Sequence, residues 1–266
     1  MTAPTEFSEE TRTRAKEIIA RYPEGRERSA LLPLLHLVQA EHGYVSPAGI
    51  AFCADLLGLT QAQVAAVASF YTMYKRRPTG DWLVSVCTNT MCGVQGGDRT
   101  FQALREYLGV GHEETTEDGK VTLEHAECLA ACDYAPVMTV NYEFFDRVQA
   151  EEALRIVREL RQGGRPQPSR GPRLCTFKEI SLQLAGFPDE REEALGEGGP
   201  GEATLAGARL AQQYGISVAG FDPETPIKEP VAEEVPGHKA PETAPKPAAD
   251  RKPAGEPPEA DKRSAR

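Results

Sequence analysis

Four cysteines fall into two tight pairs. Cys87 and Cys92, in "CTNTMC", follow the apolar run "DWLVSV"; Cys128 and Cys132, in "CLAAC", come after 35 intervening residues. Four thiolates arranged this way suit zinc or an iron–sulfur cluster. The spacings are Cys-x4-Cys and Cys-x3-Cys, and structural zinc knuckles run from Cys-x2-Cys to Cys-x4-Cys. A cluster of two irons and two sulfides is wider than one zinc ion. Each of its irons needs two protein thiolates, so one pair at each end would also serve. Spacing alone leaves both metals open. A dithiol redox pair fits less well, because neither spacing is Cys-x-x-Cys. The plain alternative, four unrelated buried cysteines, must explain two close pairs at matching positions. Gly93, Gly96 and Gly97 beside the first pair would let backbone N–H groups approach a sulfur, and they equally suit an ordinary loop before a helix.

The other candidates carry less chemistry. Cys53 lies in "IAFCADLLGL", a helical apolar pattern, and reads as a small buried hydrophobe. Cys175 stands alone in a proline-rich stretch. His36, His42, His112, His125 and His238 are scattered, none at ligand spacing from the cysteines, and read as structural or surface residues. Asp133 directly follows Cys132. Its charge would disfavour electron uptake nearby if poorly solvated, and do little as a solvated loop residue. "SFYTMY", Ser69 to Tyr74, reads first as core packing, with a patch between domains or for a partner as the alternative. No Rossmann glycine fingerprint or Walker loop is present, so no dinucleotide or nucleotide-phosphate site is read in this chain.

These residues need elements to position them. Up to about residue 78 the pattern is helical. "TEFSEETRTRAKEIIARY" turns apolar at Ile18 and Ile19. "SALLPLLHLVQAEHG" offers Ser29 as a cap, Pro33 in its first turn and Gly43 as a stop. Ser46 and Pro47 open the next helix, and Thr60 with Gln63 has capping-box spacing before another. Short links predict a helical bundle. From residue 79 to 164 the order reads strand, helix, strand, strand, helix. "DWLVSV" is a strand, and Phe101, Leu104 and Leu108 share a helical face. Val121, Leu123 and His125 alternate as in a half-buried strand, "PVMTVN" is a short strand, and Leu154, Val157 and Leu160 line a last helix. Both cysteine pairs then fall in loops just past strand ends, where sites usually form. The fold class is α+β, a helical bundle followed by a small α/β layer. Residues 165–221 read as a partly ordered extension, with "FKEISLQLAGF" as a short element. Residues 222–266, rich in proline with almost no large apolar residue, read as disordered.

The chain has 266 residues and a formal charge of −10. An acidic balance argues against nucleic-acid binding. No run approaches the roughly 18 to 20 apolar residues of a membrane span, and the N-terminus lacks the apolar core of a signal peptide. The expectation is a cytoplasmic protein without direct membrane insertion.

The segments "LLPLLHLVQAEHGYVS", "VASFYTMYKRRPTG", "VCTNTMC" and "AECLAACDYAPVMTVN" resemble, in order, the thioredoxin-like 2Fe-2S ferredoxin subunit family of NADH:quinone oxidoreductases. That family comprises the E subunits of bacterial respiratory complex I and their mitochondrial flavoprotein 2 counterparts. The resemblance covers about residues 10 to 165 and favours iron–sulfur over zinc. It implies one 2Fe-2S cluster on Cys87, Cys92, Cys128 and Cys132, within a helical N-terminal domain joined to a thioredoxin-like domain. It implies a partner subunit carrying FMN and the NADH site, other peripheral-arm subunits, and a place on the cytoplasmic side of the plasma membrane. Activity is expected only within that complex, with the cluster near the flavin as a side acceptor of electrons. The same module serves as diaphorase subunit of NAD-linked hydrogenases and formate dehydrogenases. A zinc-stabilised interaction module, with the four cysteines as its ligands, remains the alternative of another class. One departure stands in the second pair: the family often has "CLGAC", and Ala130 replaces that glycine, which an alanine can do if its φ stays below zero. The extension beyond residue 165 is longer than in many members, and its only suggested role is wrapping on the partner.

Overall fold

The computed structural model describes residues 7–189, 200–218, 220 and 222. The described residues up to Gly215 form one compact unit, and 216–218, 220 and 222 fall outside it. The expected disordered tail, 222–266, lies outside the described residues apart from Asp222.

Helix α1 (Glu9–Ala20) starts where the Ser8 side chain accepts the Thr11 N–H. It buries Thr11, Ala15 and Ile18, a stripe at helical spacing. Helix α2 (Leu31–His42) follows a 3-10 turn, Glu27–Ala30, so Ser29 sits inside that turn and caps nothing; Ala30 takes the cap position with no side-chain bond. Gly43 ends α2 in the left-handed conformation. Helix α3 (Pro47–Leu57) has Ser46 as its cap, and α4 (Gln61–Phe70) has the Thr60–Gln63 capping box. Their shared core includes Ile18, Leu34, Leu35, Leu37, Val38 and Val64, all fully or almost fully buried. Each such side chain stabilises the fold by about 1.5–3 kcal/mol relative to exposure.

The sheet has five strands where the sequence suggested three. They are β1 (Trp82–Cys87), β2 (Glu114–Thr115), β3 (Val121–Ala126), β4 (Met138–Val140) and β5 (Glu143–Phe145), in the order β2-β3-β1-β4-β5. β2 and β5 have two and three residues, too few to show a period. β1 runs parallel to β3 and antiparallel to β4. All six β1 residues are buried, so both faces of this central strand are covered. Trp82, Val84 and Val86 face the core under α6 (Gly97–Leu108) and α7 (Ala150–Arg161). β3 is not the half-buried alternation expected. Thr122 is buried between Val121 and Leu123, while His125 is exposed near the strand end. Thr122 tolerates burial because its hydroxyl accepts the Gly80 N–H at 2.8 Å.

The other face of β1 is closed by α8 (Phe177–Leu184), the ordered part of the extension. Leu83 meets Phe177, Ile180 and Cys175 there. Asn141 ties the layers by accepting the Leu83 N–H at 2.7 Å and donating to the carbonyls of Asp81 and Cys175. Helix α8 also packs on α2, with Gln39 Nε2 donating to Ser181 Oγ at 3.3 Å. The proline-rich stretch before it therefore carries a cysteine into a core rather than onto a surface.

Candidate metal centre

Cys87 is the last residue of β1, held by its N–H to the Val137 carbonyl at 3.1 Å. Asn89 then caps the short helix α5 (Thr90–Val94), accepting the Thr90 N–H at 2.9 Å. Cys92 sits inside that helix, so the first pair is a strand end and a helical turn, not two positions in one loop. Gly97 begins α6 directly beneath. A Cβ there would collide with the carbonyl oxygens of Cys87 and Cys92, so only glycine lets α6 pack this close to the pair.

The second pair lies beyond the end of β3, whose last residue, Ala126, is in register with Cys87. This parallel pairing brings chain segments far apart in sequence to one end of the sheet. Cys132 opens a 3-10 turn, Cys132–Tyr134. The Cys128 and Cys132 Sγ atoms are 3.8 Å apart, and the Ala130 N–H donates to Cys128 Sγ at 3.4 Å. Ala130 makes this contact at φ +55°, so the condition for an easy glycine-to-alanine replacement, a negative φ, is not met. The Tyr134 ring is covered by the Arg170 guanidinium, 4.9 Å from its centroid.

The four thiols share one electrostatic environment at this end of the sheet. Burial first, and then the neighbouring Cys87 thiol, push Cys92 up to about 11, with a weaker influence from Cys132. Cys132 is raised mainly by its contact with Cys128, and more weakly by Cys87 and Asp133. The raised Cys92 and Cys132 thiols favour their protonated forms, and a bound metal would reverse that balance by deprotonating its ligands. Cys87 and Cys92 are about 2 % exposed, whereas Cys128 and Cys132 are exposed. The set thus has a buried end and a surface end.

The donor set fits a thiolate-bound metal centre. Thiolates bound tetrahedrally at about 2.3 Å stand about 3.8 Å from each other. The Cys128–Cys132 pair already has that separation. Two thiols at each of two points is the arrangement that two irons bridged by sulfides require.

The remaining expected residues separate from this centre. Cys53 is fully buried in the helical core, and burial pushes its thiol up to about 12. Cys175 is buried against Leu83 and Phe177. His36 and His42 belong to α2, and His42 stacks on Phe7. His238 lies outside the described residues. His112 and His125, read as scattered, lie with ring centroids 4.1 Å apart and planes tilted by 35°. The core reading of "SFYTMY" holds only for Tyr74. Phe70 is 78 % exposed, and Tyr71 and Met73 are also exposed.

One cluster went unread in the sequence. Lys75 Nζ lies 2.5 Å from Glu124 Oε2, and Ser85 Oγ donates to Glu124 Oε1 at 2.6 Å. Lys75 and Glu124 are almost wholly buried, lining a cavity of about 430 Å³ with His125, Tyr142 and Cys128. An acidic residue amid "VTLEHA" was the available signal, because a charge in a central strand needs a partner.

A family model described as thioredoxin-like [2Fe-2S] ferredoxin matches residues 15–161. A Mycobacterium tuberculosis protein, named as the E subunit of NADH-quinone oxidoreductase, is 61% identical over 199 residues, 75% of this chain and 78% of that one. A Rickettsia conorii protein of the same name is 37% identical over 155 residues, 58% of this chain and 93% of that one. The mitochondrial NADH dehydrogenase [ubiquinone] flavoprotein 2 of Dictyostelium discoideum is 34% identical over 159 residues, 59% of this chain and 64% of that one.

Proposed function

The chain belongs to the thioredoxin-like [2Fe-2S] ferredoxin family, and from that premise we propose that it is the electron-transfer subunit of an NADH–quinone oxidoreductase. Cys87 and Cys92 would hold one iron, and Cys128 and Cys132 the other. When bound, the cluster supplies a one-electron carrier. The observation that carries this reading is the 3.8 Å Cys128–Cys132 separation beside a buried second pair.

The protein's own residues supply placement and environment. The register of β1 with β3 brings the two pairs to one end of the sheet. Gly97 lets α6 close the buried end, and the Ala130 N–H gives a sulfur at the surface end a hydrogen bond, which tunes a cluster potential. The exposed end is where another redox centre can approach.

The chain works as one subunit among several. The partner we infer is the subunit that binds FMN and NADH, with further peripheral-arm subunits around it. The exposed aromatic side chains of Phe70 and Tyr71 support a protein-facing surface, because such groups are enriched at interfaces. Among the described residues no single helix is long and apolar enough to cross a membrane.

Anaerobic preparation of the full chain, with iron, sulfide and zinc measured together, tests the reading. Iron and sulfide in equal amounts, two of each per chain, uphold it. A colourless chain with one zinc would make the four thiols a structural clamp. The subunits that co-purify decide between a quinone-linked complex and a hydrogenase or formate dehydrogenase.

A further inference from the structure

Helix α9 (Glu202–Tyr214) lies beyond the residues that match the family. None of its residues is buried, so it has no core of its own. A 13-residue helix with no packed face is marginal in water. Its place is set instead by contact with the 3-10 turn Cys132–Tyr134. Thr204 Oγ1, in the first turn of α9, donates to Asp133 Oδ2 at 2.6 Å. Gly201, which caps α9, lies against the Tyr134 hydroxyl so closely that a Cβ would collide with it. The same tyrosine is stacked by Arg170. The turn that begins with Cys132 is thus held at Asp133 and at Tyr134, the two residues that follow the cysteine.

We propose that α9 is a clamp on the outer cysteine loop. Thr204 acts through Asp133 as a positioning residue that fixes the turn carrying Cys132. The proposal rests on the reading that these two cysteines hold one end of a cluster. Asp133 suits this role because its carboxylate meets the first turn of α9, where backbone N–H groups and the helix dipole favour a negative charge. A free loop at this point would let the two surface thiolates drift apart. A clamped loop keeps both at metal-binding separation.

The test uses the full chain, loaded without oxygen, with Thr204→Val and Thr204→Ser. Valine keeps the shape and removes the hydroxyl; serine restores it. Bleaching of the visible absorption in EDTA should be about threefold to tenfold faster in Thr204→Val, the range of the net contribution of one ordinary hydrogen bond. Thr204→Ser should return it to the wild-type rate. Amide hydrogen exchange over residues 202–214 should be faster in Thr204→Val than in Thr204→Ser, whether or not metal is bound. A wild-type bleaching rate in Thr204→Val overturns the clamp, and so does failure of serine to rescue. A chain that purifies without iron overturns the functional reading alone; faster exchange in Thr204→Val than in Thr204→Ser then still upholds the clamp, and equal or slower exchange overturns it.

Discussion

Ala130 is the residue whose replacement bears most directly on the geometry of the outer loop. Its φ of +55° is left-handed, and its N–H must stay there to reach Cys128 Sγ. An L-residue in this region carries about 1–2 kcal/mol of strain that glycine lacks. Glycine in turn loses about 0.4–1 kcal/mol more conformational entropy on folding than alanine. Strain relief is the larger effect, so Ala130→Gly should stabilise the loop by about 0.5–1 kcal/mol. For a unit of this size that is a rise of about 2 °C in the midpoint of thermal unfolding. Ala130→Val should lower it by more, because a β-branched residue is still less tolerant of positive φ. Scanning calorimetry of the three chains, anaerobic and at one scan rate, makes the comparison. A lower midpoint for Ala130→Gly than for wild type would refute the reasoning, since it would mean that the alanine side chain contributes more than its backbone costs.

Three further perturbations test other parts of the fold. Lys75→Met should cost about 2–4 kcal/mol, because it leaves Glu124 buried with only the Ser85 hydroxyl; the added change Glu124→Gln should recover part of that in denaturant unfolding. Burial holds His36 down at about 4, so the unfolded chain takes up a proton first as pH falls below about 6.5. Stability should therefore drop between pH 6.5 and 4 by about 2 to 3 kcal/mol, and His36→Leu should flatten that slope in unfolding measured across the range. Cys53→Ala and Cys175→Ala should leave metal content unchanged, while Ser at any of Cys87, Cys92, Cys128 or Cys132 should lower it in anaerobic preparations.

Much of this architecture is legible in the sequence because local chemistry and global packing agree there. Ser46 with Pro47, Thr60 with Gln63, and Gly43 each satisfy helix ends through bonds that depend only on neighbours. The six apolar-rich residues of β1 announce a strand buried on both faces. Reading fails where a distant segment decides. Ser29 looks like a cap, but the 3-10 turn before α2 displaces it. Phe70 and Tyr71 look like core, but α4 ends at Phe70 and turns them outward. The two cysteine pairs are visible as types and spacing, but their meeting depends on β1 lying parallel to β3, a pairing across 39 residues. The Lys75–Glu124 pair and the clamp of Thr204 on Asp133 join positions 49 and 71 residues apart, which no local pattern records.

The central claim is that two cysteine pairs hold one binuclear cluster. Low-temperature EPR of the full chain, prepared without oxygen and recorded before and after dithionite, tests it most directly. The account predicts a brown protein that is silent as isolated and shows a rhombic signal only when reduced, with the signal altered or lost in Cys128→Ser. A colourless protein with zinc and no signal, or an unaltered signal in that variant, would contradict it.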